Sequence, residues 1–145
     1  MKRTTHVIER GFGNYYTKTE VDALISALSS VYAPLLVTVT SKSGDANLSA
    51  AECSGRLILV TQTATMTLPE ITSTTGYLVT VYSTTAASVM VDCNANDRII
   101  LDGTAGGGGK KITSASGAGD YVTLVAESGS GWTVIGRSGT WTMES

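Results

Sequence analysis

The sequence predicts a mainly β protein: an antiparallel sandwich or barrel of jelly-roll type, preceded by an extended N-terminal arm and one short coiled-coil helix. Three observations predict it. Threonine, serine and glycine supply 22, 16 and 16 of the 145 residues, a mixture that favours strands and turns because Thr is β-branched while Gly and Ser punctuate turns. Beyond Leu35, short runs of alternating polarity recur about every ten residues between Ser/Thr/Gly turns, with no helical insert. Helical periodicity is confined to one stretch near the N-terminus. At 42% apolar the chain can still bury a core, and its length suits about one domain.

Three zones follow in order. Residues 1–16 hold three basic residues, two glycines and three aromatics with no helical or strand period, and read as an arm that is either mobile or laid against a partner. Residues 17–35 are the helical zone. Thr17 is a good N-cap, with Glu20 placed three residues later to complete a capping box. Val21, Leu24, Leu28, Val31 and Leu35 then repeat at spacings of 3 and 4, the a/d pattern of a coiled-coil seam. Pro34 stops the helix at Ala33, since the residue before proline is driven out of helical geometry. Two heptads are too short to hold chains together alone, so the stripe either joins copies or packs on its own domain. Its place between a loose arm and a domain favours self-association.

Residues 36–145 form the β head. Candidate strands are 35–40, 57–60, 61–68, 77–82, 88–92, 98–101, 110–113, 121–127 and 132–136. In 61–68 threonines occupy the odd positions and Ala64, Met66 and Leu68 the even ones, which places the apolar set inward. Such a domain must protect its edge strands, and oligomerisation is one way to cover them.

Composition also excludes. Twelve acids against ten bases leave a formal charge of −2, which argues against a chain-wide basic field for nucleic acid. No run approaches the ~20 apolar residues of a membrane span, and the N-terminus lacks a signal-peptide core, so synthesis and use without Sec export is expected. Two cysteines, Cys53 and Cys93, make no disulfide framework and read as buried thiols. His6 is the only histidine, which removes Cys/His zinc signatures and most histidine-based triads.

The remaining motifs weaken on inspection. Gly103 to Lys111 invites a phosphate-loop reading but has Lys111 where Ser or Thr is required and no helix behind it; a hairpin loop accounts for it better, its glycines needing a packing partner or an exposed tip. Asp92 to Asp97 starts like a calcium loop, yet Asp97 stands where Gly is needed and Gly103 where the bidentate Glu should be. The Thr61, Thr63, Thr65, Thr67 ladder would bind a flat ligand only if repeated on neighbouring strands. Carboxylates are scattered, no G-x-S-x-G elbow occurs, and no catalytic, cofactor or metal site is expected. Trp132 and Trp141 flank Gly136 to Thr140 and are either sheet core or a contact for a receptor glycan.

Two stretches carry a resemblance. Tyr15-Tyr16-Thr17-Lys18-Thr19-Glu20-Val21-Asp22-Ala23-Leu24-Ile25 resembles the Y-T-K-x-E-V-D-x-L-I segment of tail-fibre and other appendage proteins of tailed bacteriophages. There it forms a short helix near a parallel trimer axis, between an attachment arm and a β-rich body. Leu48 to Gly55, Leu68-Pro69, Asp97 to Ile99, Gly119 to Val125 and above all Gly131-Trp132-Thr133-Val134-Ile135-Gly136-Arg137-Ser138-Gly139-Thr140-Trp141 are similar to small β-domains of phage virion proteins. The resemblance implies a homotrimer without enzymatic activity, made in the host cytoplasm and carried on the virion exterior. The arm residues Lys2, Arg3, Arg10, Phe12, Tyr15 and Tyr16 would dock on a capsid, neck or tail protein, since arginine and aromatics are the usual anchors. The short chain favours a head fibre or capsid decoration, with a tail fibre or glycan-binding tip as the alternative. Neither nucleic acid nor a membrane is expected as a partner.

Overall fold

The computed structural model describes residues 17–32, 38–71, 76–127 and 131–145, without the side chains of 28–32 and 127. The chain divides into two compact units, Met1–Leu36 and Val37–Ser145.

In the first unit, α1 spans Lys18–Tyr32. Its start is the capping box expected from the sequence. The Thr17 N–H and hydroxyl donate to Glu20 Oε2 at 2.7 and 2.9 Å, and the Glu20 N–H returns to Thr17 Oγ1 at 3.3 Å. Those bonds favour the carboxylate and hold the Glu20 pKa below its ordinary value. Lys18 and Asp22 form an i,i+4 ion pair on the next turn. Among the described residues no helix is long and apolar enough to cross a membrane.

The described residues of the second unit form twelve strands. They are β1 Val39–Lys42, β2 Ala46–Asn47, β3 Ser54–Val60, β4 Ala64–Thr67, β5 Leu78–Ser83 and β6 Val89–Asp92, then β7 Arg98–Leu101, β8 Thr104–Ala105, β9 Ile112–Ser114, β10 Tyr121–Glu127, β11 Gly131–Ser138 and β12 Trp141–Met143. They form a seven-stranded sheet, ordered β1-β3-β5-β10-β11-β7-β8, and a five-stranded sheet, ordered β12-β9-β6-β4-β2. The mainly β, sandwich-compatible class follows, but the sheets are mixed and not antiparallel. From β1 to β6 the chain alternates between sheets, so β1, β3 and β5 run parallel in one and β2, β4 and β6 parallel in the other. Each winding takes about twenty residues, within the range of solenoid repeats.

Parallel neighbours need a long crossover, which is usually a helix. Here a strand of the opposite sheet serves instead, so each strand keeps one face toward solvent. The second half is mostly antiparallel, β10 lying against β5 and β11, β9 against β6 and β12, and β7 against β8, but β11 runs parallel to β7.

One core fills this unit. In β4, Ala64 and Met66 are buried as the alternation requires, with Leu68 continuing the set; β3 adds Ile58 and Val60, β5 Val79 and Val81, β6 Val89 and Val91, and β10 Val122 and Leu124. A polar tie fastens the first winding to the second, Asp45 Oδ1 accepting the Thr65 N–H at 2.7 Å, and another closes the first winding on itself, Lys42 Nζ meeting Glu52 Oε1 at 2.7 Å.

Glu52 belongs to a second capping-box arrangement that the sequence reading missed, although Ser49-x-x-Glu52 is its signature. Ser49 donates its N–H and its hydroxyl to Glu52 Oε2, both at 2.9 Å, and Ser49 Oγ accepts the Glu52 N–H at 3.3 Å. The Lys42 ammonium, bonded to the carboxylate, and then the Ser49 N–H hold its pKa down at about 2, against an ordinary 4.5. A depressed folded-state pKa stabilises the protein above the unfolded value, and that contribution is lost as pH falls from about 4.5 to about 2. Glu52→Gln should therefore unfold at a lower urea concentration than the parent at neutral pH, with the gap closing across that window. A gap that persists unchanged at the acid end would show that this carboxylate is not the source.

Candidate functional site

The helix is the strongest functional candidate among the described residues. Thr17 caps its first turn and so fixes where the apolar stripe begins. Val21 and Leu24 are both exposed, Leu24 at 53%, and Ile25 beside them is 58% exposed. Apolar side chains this open on an amphipathic helix mark a surface for association. Ile25 widens the stripe beyond the a/d positions identified from the sequence; its place four residues after Val21 was the available signal. The side chains of Leu28 and Val31 and the whole of Leu35 lie outside the described residues, as do the arm residues Lys2, Arg3, Arg10, Phe12, Tyr15 and Tyr16.

Trp132 and Trp141 are not available for stacking on a sugar, which corrects the expected receptor contact. Trp132 is 0% exposed, stacked on Tyr77 with ring centroids 6.0 Å apart. Trp141 is 4% exposed and donates its indole N–H to the Ser138 carbonyl at 3.0 Å. Both are core residues, because β11 and β12 deliver them to the inner faces of their sheets.

Of the tract 103–111 only Gly103 lies in a hairpin turn, where Asp102 and Gly103, with φ of 52° and 75°, turn β7 into β8. Two central residues at positive φ are the demand of a type I′ turn, for which Asp-Gly is a preferred pair. Gly106 to Gly109 then carry the chain across to β9 in the other sheet. Their packing partner is the turn at Ala95: a Cβ at Gly108 would lie 2.8 Å from the Ala95 carbonyl oxygen, and one at Gly109 3.1 Å from Ala95 Cα.

In the 92–97 loop, Asn94 and Asp97 are engaged by backbone N–H groups, while Asp92 Oδ1 is buried with no hydrogen-bond partner among the described residues. Asp97 Oδ2 accepts the Ile71 N–H at 2.9 Å, and Asn94 Oδ1 accepts the Asn96 N–H at 3.1 Å. Among the described residues no three His, Cys, Asp or Glu side chains converge as a metal-binding group. Cys53 and Cys93 are buried free thiols. Burial pushes the Cys53 pKa up to about 12 and raises that of Cys93, which disfavours the reactive thiolate.

The outer face of the five-stranded sheet carries hydroxyls on adjacent strands. Register aligns Thr65 with Met90, Met90 with Thr113 and Thr113 with Thr142, while Thr67 meets Asp92. Thr61 and Thr63 precede β4, so only Thr65 and Thr67 of the expected ladder belong to the sheet. Met90 and Asp92 interrupt the rows. No protein-family model and no curated protein matches the chain.

Proposed function

We propose that the chain is a non-enzymatic structural component of a tailed-phage virion: a homotrimeric fibre or decoration protein, joined through α1 and fixed to the capsid surface by residues 1–16. The observation that carries the trimeric part is the exposed Val21, Leu24 and Ile25 stripe on a capped helix that belongs to a different compact unit from the β head. An amphipathic stripe outside the domain core stabilises a fold chiefly by meeting another helix. The virion part is supported by the resemblance of Tyr15 to Ile25 to phage appendage segments. The glycan-tip alternative loses its named contacts, since both tryptophans are buried.

Placing a carboxylate on the seam tests the helix. Leu24→Asp should raise the half-association concentration in sedimentation equilibrium about a hundredfold, because a charge must be dried to enter the seam. A parent chain that sediments as a monomer at micromolar concentration would remove the trimeric reading. Deleting residues 1–16 should leave association intact and abolish binding to phage particles lacking this chain. Particle binding retained by the truncated chain would refute docking by the arm. Particle imaging with a labelled chain then separates capsid from neck and tail.

A further inference from the structure

The outer face of the five-stranded sheet carries a thioether among hydroxyls. Along β6, Val89 and Val91 enter the core, and Met90 stands between them at an outward, part-exposed position. Its cross-strand neighbours on that face are Thr65 of β4 and Thr113 of β9, with Thr142 of β12 beyond. The Thr65 hydroxyl donates to Met90 Sδ at 3.8 Å, a weak bond because a thioether sulfur is a poor acceptor.

Met66 and Met143, the other two methionines among the described residues, sit differently. Met66 is fully buried in β4. Met143 packs against the core from β12, with its sulfur so close to Gly106 that a Cβ there would lie 2.7 Å from Sδ. An oxygen added to either sulfur must displace packed atoms or wait for the fold to open. Met90 belongs neither to the core nor to the side chains packed on it.

We propose that Met90 is a site of oxidation by a hydroperoxide and that Thr65 holds the product. A sulfur lone pair attacks the terminal peroxide oxygen, so that an S–O bond forms as the O–O bond breaks. The proton of the transferred hydroxyl passes to the departing hydroxide or alkoxide, which leaves as water or an alcohol. Sulfur gives up two electrons and the peroxide takes them. The Met90 sulfoxide is polar where the thioether was apolar. The 3.8 Å between Sδ and Thr65 Oγ1 admits an oxygen on sulfur at an ordinary O–H···O distance of about 2.7 Å from that hydroxyl. Thr65 is itself held in place, since its N–H donates to Asp45 Oδ1. Oxidation thereby turns the interrupted row Thr65, Met90, Thr113 and Thr142 into one that bears oxygen throughout, and it does so without entering the core.

Brief exposure of the full-length chain to dilute hydrogen peroxide tests this, with one-oxygen gains at Met66, Met90 and Met143 read by tandem mass spectrometry. In the folded chain Met90 should react about tenfold or more faster than Met66, and faster than Met143, because those two sulfurs react on opening. In unfolding urea the three rates should agree within about twofold. A folded-state rate at Met66 or Met143 equal to that at Met90 overturns the proposal, as does a preference for Met90 that survives in urea. The treated parent should keep its near-ultraviolet circular dichroism and melt within about 4 °C of the untreated chain, since the change stays on the surface. Loss of the native spectrum on oxidation of Met90 alone, with Met90→Leu unaffected by the same treatment, would show that the fold does not accommodate the sulfoxide and overturn the proposal. Thr65→Val removes the donor and keeps the β-branched shape. On oxidation it should lose about 4–8 °C more in melting temperature than the parent loses. An equal loss in the two chains overturns the assignment of Thr65.

Discussion

Gly139→Ala is expected to destabilise the β unit by about 3 kcal/mol or more, lowering its melting temperature on the order of 10–15 °C. Gly139 lies between β11 and β12, where the chain leaves one sheet for the other. Its φ is 78°, a left-handed conformation that costs a residue with a Cβ about 1–2 kcal/mol. The larger part is steric. A Cβ there would stand 2.0 Å from Asp120 Oδ1, and Asp120 is a buried residue that cannot swing aside freely.

That carboxylate accepts the Gly117 N–H at 2.9 Å through Oδ2, and a Cβ at Gly117 would itself come within 2.5 Å of Oδ1. Asp120 is thus held between two glycines, while its carbonyl accepts the Ser83 N–H at 2.8 Å. Moving it would give up a charge-assisted bond and disturb the start of β10. Gly103→Ala separates the two contributions, because φ there is 75° but no atom lies within 4 Å of the added carbon. It should cost only the backbone part, about 1–2 kcal/mol. In an Asp120→Ala background Gly139→Ala should fall to that same level, a coupling that a double-mutant cycle in urea would measure. Equal costs for Gly139→Ala and Gly103→Ala in the parent would sink the steric account.

What the sequence disclosed of the fold depended on whether the signal was local. The Thr17–Glu20 box and the alternation through Met66 and Leu68 are local, and both appear where the residues place them. The bounds of β10 also coincide with the expected 121–127. Strand direction is not local. A period of two says that one face is buried and nothing about which way the neighbour runs, so β1, β3 and β5 read as antiparallel until their registers are known. Strands β2, β8 and β12 are two or three residues long, too short to show any period.

The candidate surfaces divide in the same way. The helix stripe was legible in Val21 and Leu24, because a helix places its own side chains relative to one another. Cross-strand rows were not, because only the register aligns Met90 with Thr113 and Thr113 with Thr142 on the five-stranded sheet. Trp132 and Trp141 misled for a related reason. An aromatic beside a glycine-rich turn suits either a core or a ligand contact, and burial is decided by strands distant in sequence.

Trp132→Ala should cost about 3–5 kcal/mol, the range for deleting a fully buried aromatic. The indole has β10 on one side and β7 on the other, with Ala126 and Ile99 as its cross-strand neighbours. Ala126 is too small to fill the space from the β10 side, so much of the cavity would persist. The stack on Tyr77, with planes 13° apart, would also be lost. Trp132→Phe should behave differently. The indole N–H is buried with no hydrogen-bond partner among the described residues, so Phe removes an unsatisfied donor while keeping a ring against Tyr77. The Phe variant should therefore retain well over half of the stability that Ala loses, measured as the shift in urea midpoint at constant slope. If Phe proves as costly as Ala, the N–H has a partner. The comparison also guards the functional reading: any loss of association or particle binding in Trp132→Ala must track unfolding, since the indole is 0% exposed and offers no surface to a ligand.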